Sequence, residues 1–115
     1  MRRGEIWLIN LDPTLGAEIR KTRPAVIVNS NAIGILPLRV IVPITDWKEH
    51  YATAPWMVRI DPTDENRLSK RSAADAFQVR SLSEQRFVRR LGLLAVDRMQ
   101  AIEMALAIVL NIRMT

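Results

Sequence analysis

Residues 5–11 read Glu-Ile-Trp-Leu-Ile-Asn-Leu, and this stretch decides the fold class. Successive side chains of a β-strand point to opposite faces. Both faces of this stretch are apolar, with Ile6 and Leu8 on one and Trp7, Ile9 and Leu11 on the other. A strand covered on both sides fits a barrel or a sandwich. The strand ends at residues 12–14, Asp-Pro-Thr, because proline cannot donate to the ladder and aspartate favours a turn.

Further short strands follow along the chain. Residues 25–28, Ala-Val-Ile-Val, predict a second strand because β-branched side chains favour the pleated sheet. Residues 38–44 predict a third, with Pro43 near its end. The other predicted elements are a strand over residues 56–60, a weaker alanine-rich strand over 72–80, a helical turn capped by Ser83, and a strand over 90–94.

The clearest element is a terminal helix, which we expect Asp97 to cap. Its apolar residues follow helical spacing over a wide surface, which implies burial on more than one side, by the core or by a dimer contact. They are Met99, Ile102, Leu106, Val109 and Leu110, with Met104 and Ile108 on a second flank. These elements predict a mainly β fold, a small antiparallel barrel with a C-terminal helix, in one domain spanning residues 1–115.

The chain is basic. Its 115 residues include 17 Lys and Arg against 12 Asp and Glu, which gives a net charge of +5. Only Lys21, Lys48 and Lys70 are lysines, so arginines dominate. The guanidinium fork binds two phosphate oxygens at once, so this skew favours an anionic partner such as nucleic acid. The alternative is a basic protein that is merely soluble.

The chain has no cysteine and a single histidine, His50. Disulfides, thiolate nucleophiles and zinc clusters are therefore excluded, and catalysis has to use Arg, Lys, carboxylates, hydroxyls and backbone. We expect His50 to be a surface residue. The longest uncharged apolar stretch, residues 104–112, is far shorter than the roughly 18 residues that span a bilayer. We expect a soluble, cytoplasmic protein that needs no cofactor.

Three segments place polar residues beside predicted strand ends, where a rigid scaffold can hold a site. These residues are Glu18, Arg20, Lys21 and Arg23 in the loop 16–24, Thr45 at the end of the strand 42–46, and Gln78 and Arg80 on one face of the strand 77–82. Three cations within four positions predict an anion-binding loop. The structural alternatives are a solvated basic loop, a turn cap and an exposed edge strand, respectively.

Five short motifs follow one another along nearly the whole chain. They are residues 3–8 (Arg-Gly-Glu-Ile-Trp-Leu), residues 11–14 (Leu-Asp-Pro-Thr), Gly16 with Glu18 and Arg23-Pro24, residues 42–45 (Val-Pro-Ile-Thr), and residues 78–82 (Gln-Val-Arg-Ser-Leu). Together they resemble the toxins of the MazF/PemK/Kid family. The resemblance implies an SH3-like barrel, a homodimer, and a metal-independent, sequence-specific endoribonuclease of single-stranded RNA. It also implies a MazE-like antitoxin whose extended acidic tail occupies the RNA-binding groove.

RNA can be cleaved without a metal when its 2′-hydroxyl attacks the neighbouring phosphorus, which leaves a cyclic phosphate and a free 5′-hydroxyl. Arg23 is the best candidate to stabilise the dianionic phosphorane. Thr45 matches the family's catalytic Thr or Ser and would orient the 2′-hydroxyl or the phosphate. Glu18 is either the general base or a carboxylate that orders the loop by pairing with Arg20 or Arg23.

We expect the other site residues to bind RNA. Arg20 and Lys21 are candidates for phosphate contact, and Gln78 and Arg80 for contact with bases or backbone. Trp47 either stacks on unpaired bases or packs against the edge of the barrel.

Two positions depart from the family. Some members have a histidine at the position of Ala17, and many have an acidic residue at that of Phe77. The general acid is therefore open between Arg23, water and Asp75. Two other functions fit the same barrel: a toxin that poisons DNA gyrase by protein binding, using a surface around Met114, and an RNA-binding module that has lost catalysis.

Overall fold

The computed structural model describes residues 1–19, 21–33 and 35–113. Within these ranges the chain forms strands β1 (Glu5–Asn10), β2 (Thr22–Ile27), β3 (Leu38–Asp46), β4 (Met57–Ile60), β5 (Ser72–Asp75), β6 (Arg80–Ser83) and β7 (Phe87–Leu93), then helix α1 (Val96–Leu110). Short 3₁₀ helices occupy three connections, Glu49–Thr53, Ala76–Gln78 and Glu84–Arg86. No helix of the described residues is long and apolar enough to cross a membrane.

The strands pair antiparallel in the order β4-β5-β3-β2-β1-β7, with β6 beside β3. The long strand β3 changes partners along its length: β6 and β2 pair with its first part, and β5 pairs with it from Ile44 onward. In the described part of the chain β4 does not pair with β7, so the barrel stays open between them. The predicted mainly β, antiparallel fold with a C-terminal helix is confirmed.

Apolar side chains cover both faces of the sheet, as residues 5–11 predict. The helix-side core, on one face, includes Ile6, Val26, Val42, Ile44 and Ile102. The loop-side cluster, on the other, comprises Ile9, Leu11, Ala25, Ile27, Ile41 and Leu82. Since β1, β2 and β3 contribute to both clusters, the central side chains of these three strands are apolar and largely buried, and their polar side chains lie toward the strand ends.

The segment 72–80 differs from its prediction as one strand. Asp75 ends β5 and accepts a hydrogen bond from the Phe77 amide, which caps the 3₁₀ helix Ala76–Gln78 before β6 begins at Arg80. Gln78 and Arg80 therefore do not share one strand face, and that prediction is wrong. The helical turn capped by Ser83 is confirmed, because the Ser83 side chain accepts from the Gln85 amide.

Helix α1 also begins differently from the prediction. Its N-cap is Ala95, without a side-chain cap, and Asp97 lies in the first turn, where a carboxylate favours the helix dipole. Met99 and Ile102 pack in the helix-side core, whereas Met104 and Ile108 are 65% and 57% exposed. The predicted second apolar flank is therefore uncovered in a single chain. Met114, which follows the helix, lies outside the described residues.

Candidate active site

Strands β2 and β3 bring Arg23 and Thr45 side by side. The ladder between β2 and β3 ends at the pair Ala25–Pro43, and its register, continued by two residues, sets Arg23 opposite Thr45. Side chains two residues apart share a face, so both point toward the side of the loop-side cluster. Two residues that are distant in sequence thus form one pair.

Arg23 and Thr45 line a cavity of about 350 Å³ at the ends of β2 and β3, here called the edge cavity. Its charged residues are Arg23, Arg67, Lys70 and Arg89 against the single carboxylate of Asp46. Asp46 pairs with Lys70 at 3.0 Å. Among the described residues, no carboxylate lies within 4.0 Å of the Arg23 guanidinium. The cavity is therefore electropositive and suited to an anion.

Glu18 lies outside the edge cavity. Its Oε1 accepts a hydrogen bond from the Leu15 amide at 2.5 Å, and its Oε2 lies 3.9 Å from Nη1 of Arg80. The predicted pairing with Arg23 is wrong, and Arg20 lies outside the described residues. The carboxylate accepts from an amide of its own loop, and among the described residues its cationic partner is Arg80.

A second cavity, of about 450 Å³, lies beneath this loop and is lined by Ala17, Glu18, Trp56, Asp75, Phe77 and Gln78. Phe77 is 64% exposed, and its ring meets that of Trp56 edge to face with centroids 5.8 Å apart. An exposed aromatic pair is a surface on which unpaired bases can stack. Sequence reasoning missed this pair because the two rings are far apart along the chain, although both aromatics are visible in the sequence.

The Gln78 side chain binds the loop that carries Glu18 and Ile19. Its Oε1 accepts from the Ile19 amide at 2.6 Å, and its Nε2 donates to Oδ2 of Asp75 at 3.0 Å. Asp75 is only 5% exposed. Burial raises the pKa of Asp75 above its usual range, while hydrogen bonds from Gln78 and the Phe77 amide act in the opposite direction. The Gln78 amide is thus already bonded within the protein at both ends.

Trp47 lies by a third cavity, of about 600 Å³, which shares Asp46 and Lys70 with the edge cavity. The Trp47 ring is half-buried and contacts the Tyr51 ring edge to face at 5.9 Å. The Arg59 guanidinium lies 5.9 Å from its centroid. The predicted packing at the barrel edge is therefore present, and part of the ring stays accessible.

Asp61 neutralises part of this basic surface. Its Oδ1 lies 3.1 Å from Nε of Arg59 and 3.2 Å from Nε of Arg71. The hydrogen bond from Arg59, followed by the charges of both arginines, holds the pKa of this exposed carboxyl below its usual value. Asp61 therefore competes with any anion that approaches the two arginines.

Lys21 and His50 stand apart from these cavities. Lys21 is exposed with φ +70°, and its amide donates to Oδ1 of Asp12 at 2.9 Å. His50 is exposed in the 3₁₀ helix Glu49–Thr53, as a surface residue should be. Within the described residues, no group of three or more acidic or histidine side chains is placed to hold a metal ion.

Comparisons with known proteins agree on one family. Residues 2–110 match the family model described as PemK-like, MazF-like toxin of type II toxin–antitoxin system. The chain is 30% identical to endoribonuclease MazF9 of Mycobacterium tuberculosis, over 97% of this chain and 98% of that protein. It is 45% identical to endoribonuclease PemK of Escherichia coli over 62 residues, which cover 53% of this chain and 47% of that protein.

Solved structures show the same fold. MazF from Deinococcus radiodurans superposes with a TM-score of 0.81 at 23% identity, covering 97% of each chain. An endoribonuclease in complex with its cognate antitoxin, from a mycobacterial species, superposes with a TM-score of 0.79 at 23% identity, covering 100% of this chain and 99% of that one.

Proposed function

Because the chain belongs to the PemK-like, MazF-like toxins of type II toxin–antitoxin systems, we propose that it is an endoribonuclease that cleaves single-stranded RNA, including mRNA, at specific sequences without a metal ion. One observation supports the proposal: Arg23 and Thr45, at adjoining ends of β2 and β3, line one electropositive cavity. Cleavage of mRNA would inhibit translation and growth. The protein would act in the cytoplasm, where mRNA is translated.

Arg23 is the group that stabilises charge at phosphorus. Its guanidinium has no carboxylate partner among the described residues, so both arms of the fork can bind non-bridging oxygens as the phosphorane forms. The Thr45 hydroxyl, one strand away, orients the 2′-hydroxyl or the phosphate by a hydrogen bond. The neutral threonine hydroxyl is too weak a base to serve as the proton acceptor.

Glu18 is our candidate for the proton acceptor. It lines a small cavity with Pro43, which lies two residues from Thr45 on the same face of β3, about 7 Å along the strand. Glu18 therefore lies on the same side of the sheet as the Arg23–Thr45 pair. In this role the carboxylate exchanges its contact with Arg80 for one with the RNA.

The proton for the leaving 5′-oxygen comes from water in this scheme. Arginine does not release its proton in proteins, so Arg23 contributes charge alone. Asp75 is buried, and both of its carboxylate oxygens accept hydrogen bonds within the protein. It therefore supports the site from below rather than donating to the substrate.

The proposed function includes two protein partners. A second copy of the chain would cover the apolar flank of α1, where Met104 and Ile108 are one turn apart and exposed. A cognate MazE-like antitoxin with an acidic tail would bind the basic surface and exclude RNA. The related mycobacterial endoribonuclease and the Deinococcus toxin have been solved with their antitoxins.

The remaining site residues bind the RNA strand in the proposed function. We assign Arg20 and Lys21 to the RNA backbone, Arg80 alternates between Glu18 and phosphate, and Trp47 stacks on a base. For Gln78 we favour holding the loop over direct base contact, because both ends of its amide are bonded internally.

The decisive experiment maps 5′ ends in RNA incubated with the purified protein in EDTA. We expect discrete cuts that leave cyclic phosphate ends. Arg23→Ala should lower the rate about a hundredfold or more, and Thr45→Ala should also impair cleavage. Arg90→Ala is the matched control, because Arg90 is paired with Glu5 at 3.5 Å and lies away from the edge cavity.

Glu18 needs two variants. Glu18→Gln keeps an oxygen for the Leu15 amide but cannot accept a proton, so it should be as slow as Glu18→Ala. Full activity of Glu18→Gln would assign Glu18 to loop ordering alone. Cleavage that requires added magnesium would contradict the mechanism, and binding without any turnover would favour an RNA-binding module.

A further inference from the structure

Two arginines of the edge cavity are not used by the proposed mechanism. Arg67 and Arg89 both line it and both are exposed. Within the described ranges, neither guanidinium has a hydrogen-bond partner or a carboxylate within 4.0 Å. Lys70, in contrast, is already neutralised by Asp46. Two unpaired cations in one concave site repel each other, and bound anionic oxygens would relieve that repulsion.

The loop that carries Arg67 is held rigidly. Asn66 is 3% exposed, its Oδ1 accepts from the amides of Thr63 and Leu68, and its Nδ2 donates to the Asp61 carbonyl. Arg67 follows with φ +59°, a left-handed conformation that is uncommon for a side chain of this size. A strained residue persists only where its surroundings enforce it, and such positions concentrate at functional sites.

Strand β7 fixes this loop from the other side. The Leu93 amide donates to the Glu65 carbonyl at 2.8 Å. A Cβ on Gly92 would lie 2.3 Å from the same carbonyl oxygen, so the loop can approach β7 this closely only over a glycine. Arg67 is therefore presented by a preformed scaffold, beside the strand that carries Arg89.

The register gives the separation of Arg89 from Arg23. Arg89 on β7 pairs with Leu8 on β1, and the neighbouring Ile9 pairs with Arg23 on β2. Two strand spacings of about 4.8 Å therefore separate the two backbones. Leu8 and Ile9 point to opposite faces of β1, so Arg89 and Arg23 approach the edge cavity from opposite faces of the sheet. Arg89 can therefore bind a different phosphate of the same RNA strand.

We propose that Arg67 and Arg89 form a second phosphate-binding subsite, which holds the RNA backbone beside the phosphate bound by Arg23. The subsite rests on the proposed function, because its ligand is a phosphate of the RNA substrate. It positions the strand without reading its sequence, since phosphate contacts carry no base information.

The test measures binding of a fluorescein-labelled, mixed-sequence single-stranded RNA in which every 2′-hydroxyl is methylated, so that it cannot be cleaved. Its affinity is followed by anisotropy from about 50 to 200 mM salt. The variant is Arg67→Gly with Arg89→Ala. Glycine suits φ +59°, so the loop should keep its conformation, and an unchanged melting temperature checks this. The control, Arg90→Ala with Arg113→Ala, removes the same charge outside the edge cavity.

We expect the subsite variant to bind about tenfold more weakly at low salt, and its log–log salt slope to fall by about 0.7 for one lost phosphate contact. The control should change less in both respects. If the wild-type protein cleaves RNA but the subsite variant keeps the wild-type affinity and salt slope, the subsite alone is overturned. A wild-type protein that neither cleaves nor binds RNA would overturn the proposed function and the subsite together.

Discussion

The Ile19 amide donates to the Gln78 side chain, which in turn donates to Asp75. Asp75→Asn replaces one of the two acceptor oxygens at the end of this chain with a donor. A carboxylate only accepts and an amide N–H only donates, so the Gln78 side chain has a single orientation that satisfies both neighbours. The one oxygen that the substitution leaves stays with the Phe77 amide, whose position the backbone fixes. The new NH₂ group then faces that of Gln78. If Gln78 flips to relieve this, its NH₂ group meets the Ile19 amide, so one hydrogen bond is lost either way.

The expected magnitude is that of one net hydrogen bond, about 1 kcal/mol. If Gln78 flips, the Ile19 amide loses its acceptor, and if it does not flip, that acceptor loses its anchor on Asp75. Local opening at Ile19 becomes easier in both cases, so hydrogen exchange should show a roughly fivefold loss of protection at this amide. The Lys21 amide is an internal control, since it donates to Asp12 and not to Gln78. Asp64→Asn controls for the change in charge. Wild-type protection of Ile19 in Asp75→Asn would refute the reasoning.

The same variant has a pH signature. Burial raises the pKa of Asp75, so the folded protein holds this proton more tightly than the unfolded chain does. Ionisation of Asp75 therefore lowers stability as the pH rises from the ordinary carboxyl pKa through the folded one. Asp75→Asn should remove this decline from the pH dependence of urea unfolding. If the loss of stability with rising pH is unchanged in Asp75→Asn, other carboxyl groups cause it.

Gly92→Ala should lower the free energy of unfolding by about 2–4 kcal/mol in urea denaturation, because the new methyl group displaces the Glu65 carbonyl; near-normal stability would mean that the loop can move freely. Asp61→Asn frees two arginines beside Trp47, so low-salt RNA affinity should rise about threefold, and an affinity that falls would contradict this. Ile108→Asp should convert the expected dimer to a monomer in light scattering, because a charge replaces an exposed apolar contact; an intact dimer would place the interface elsewhere.

The fold could be predicted from the sequence largely because its strands are apolar on both faces. Residues 5–11 and 38–44 signal this directly, and both cross the centre of the sheet. The break of segment 72–80 could not be predicted in the same way, because Asp75 ends the strand by capping a 3₁₀ helix with its side chain. The pattern of alanines in this segment does not indicate that the Asp75 side chain caps a helix.

Some residues of the candidate site could be predicted from the sequence, and others could not. Arg23 and Thr45 could be found because each follows or precedes an apolar strand, and their pairing is a matter of register. The partner of Glu18 could not, since Arg80 is distant in sequence and the contact joins a loop to the start of β6. Arg67 could not be predicted for a related reason. Its position depends on the hydrogen bonds of the buried Asn66 side chain and on the close approach of its loop to Gly92, which only the folded chain shows.

The edge cavity is built from residues that begin at Leu8 and end at Leu91. Its walls therefore come together only after most of the chain has been synthesised. A nascent polypeptide that has not yet added β7 lacks both Arg89 and the glycine that receives the Arg67 loop. The edge cavity therefore cannot form on the ribosome before β7 has been synthesised.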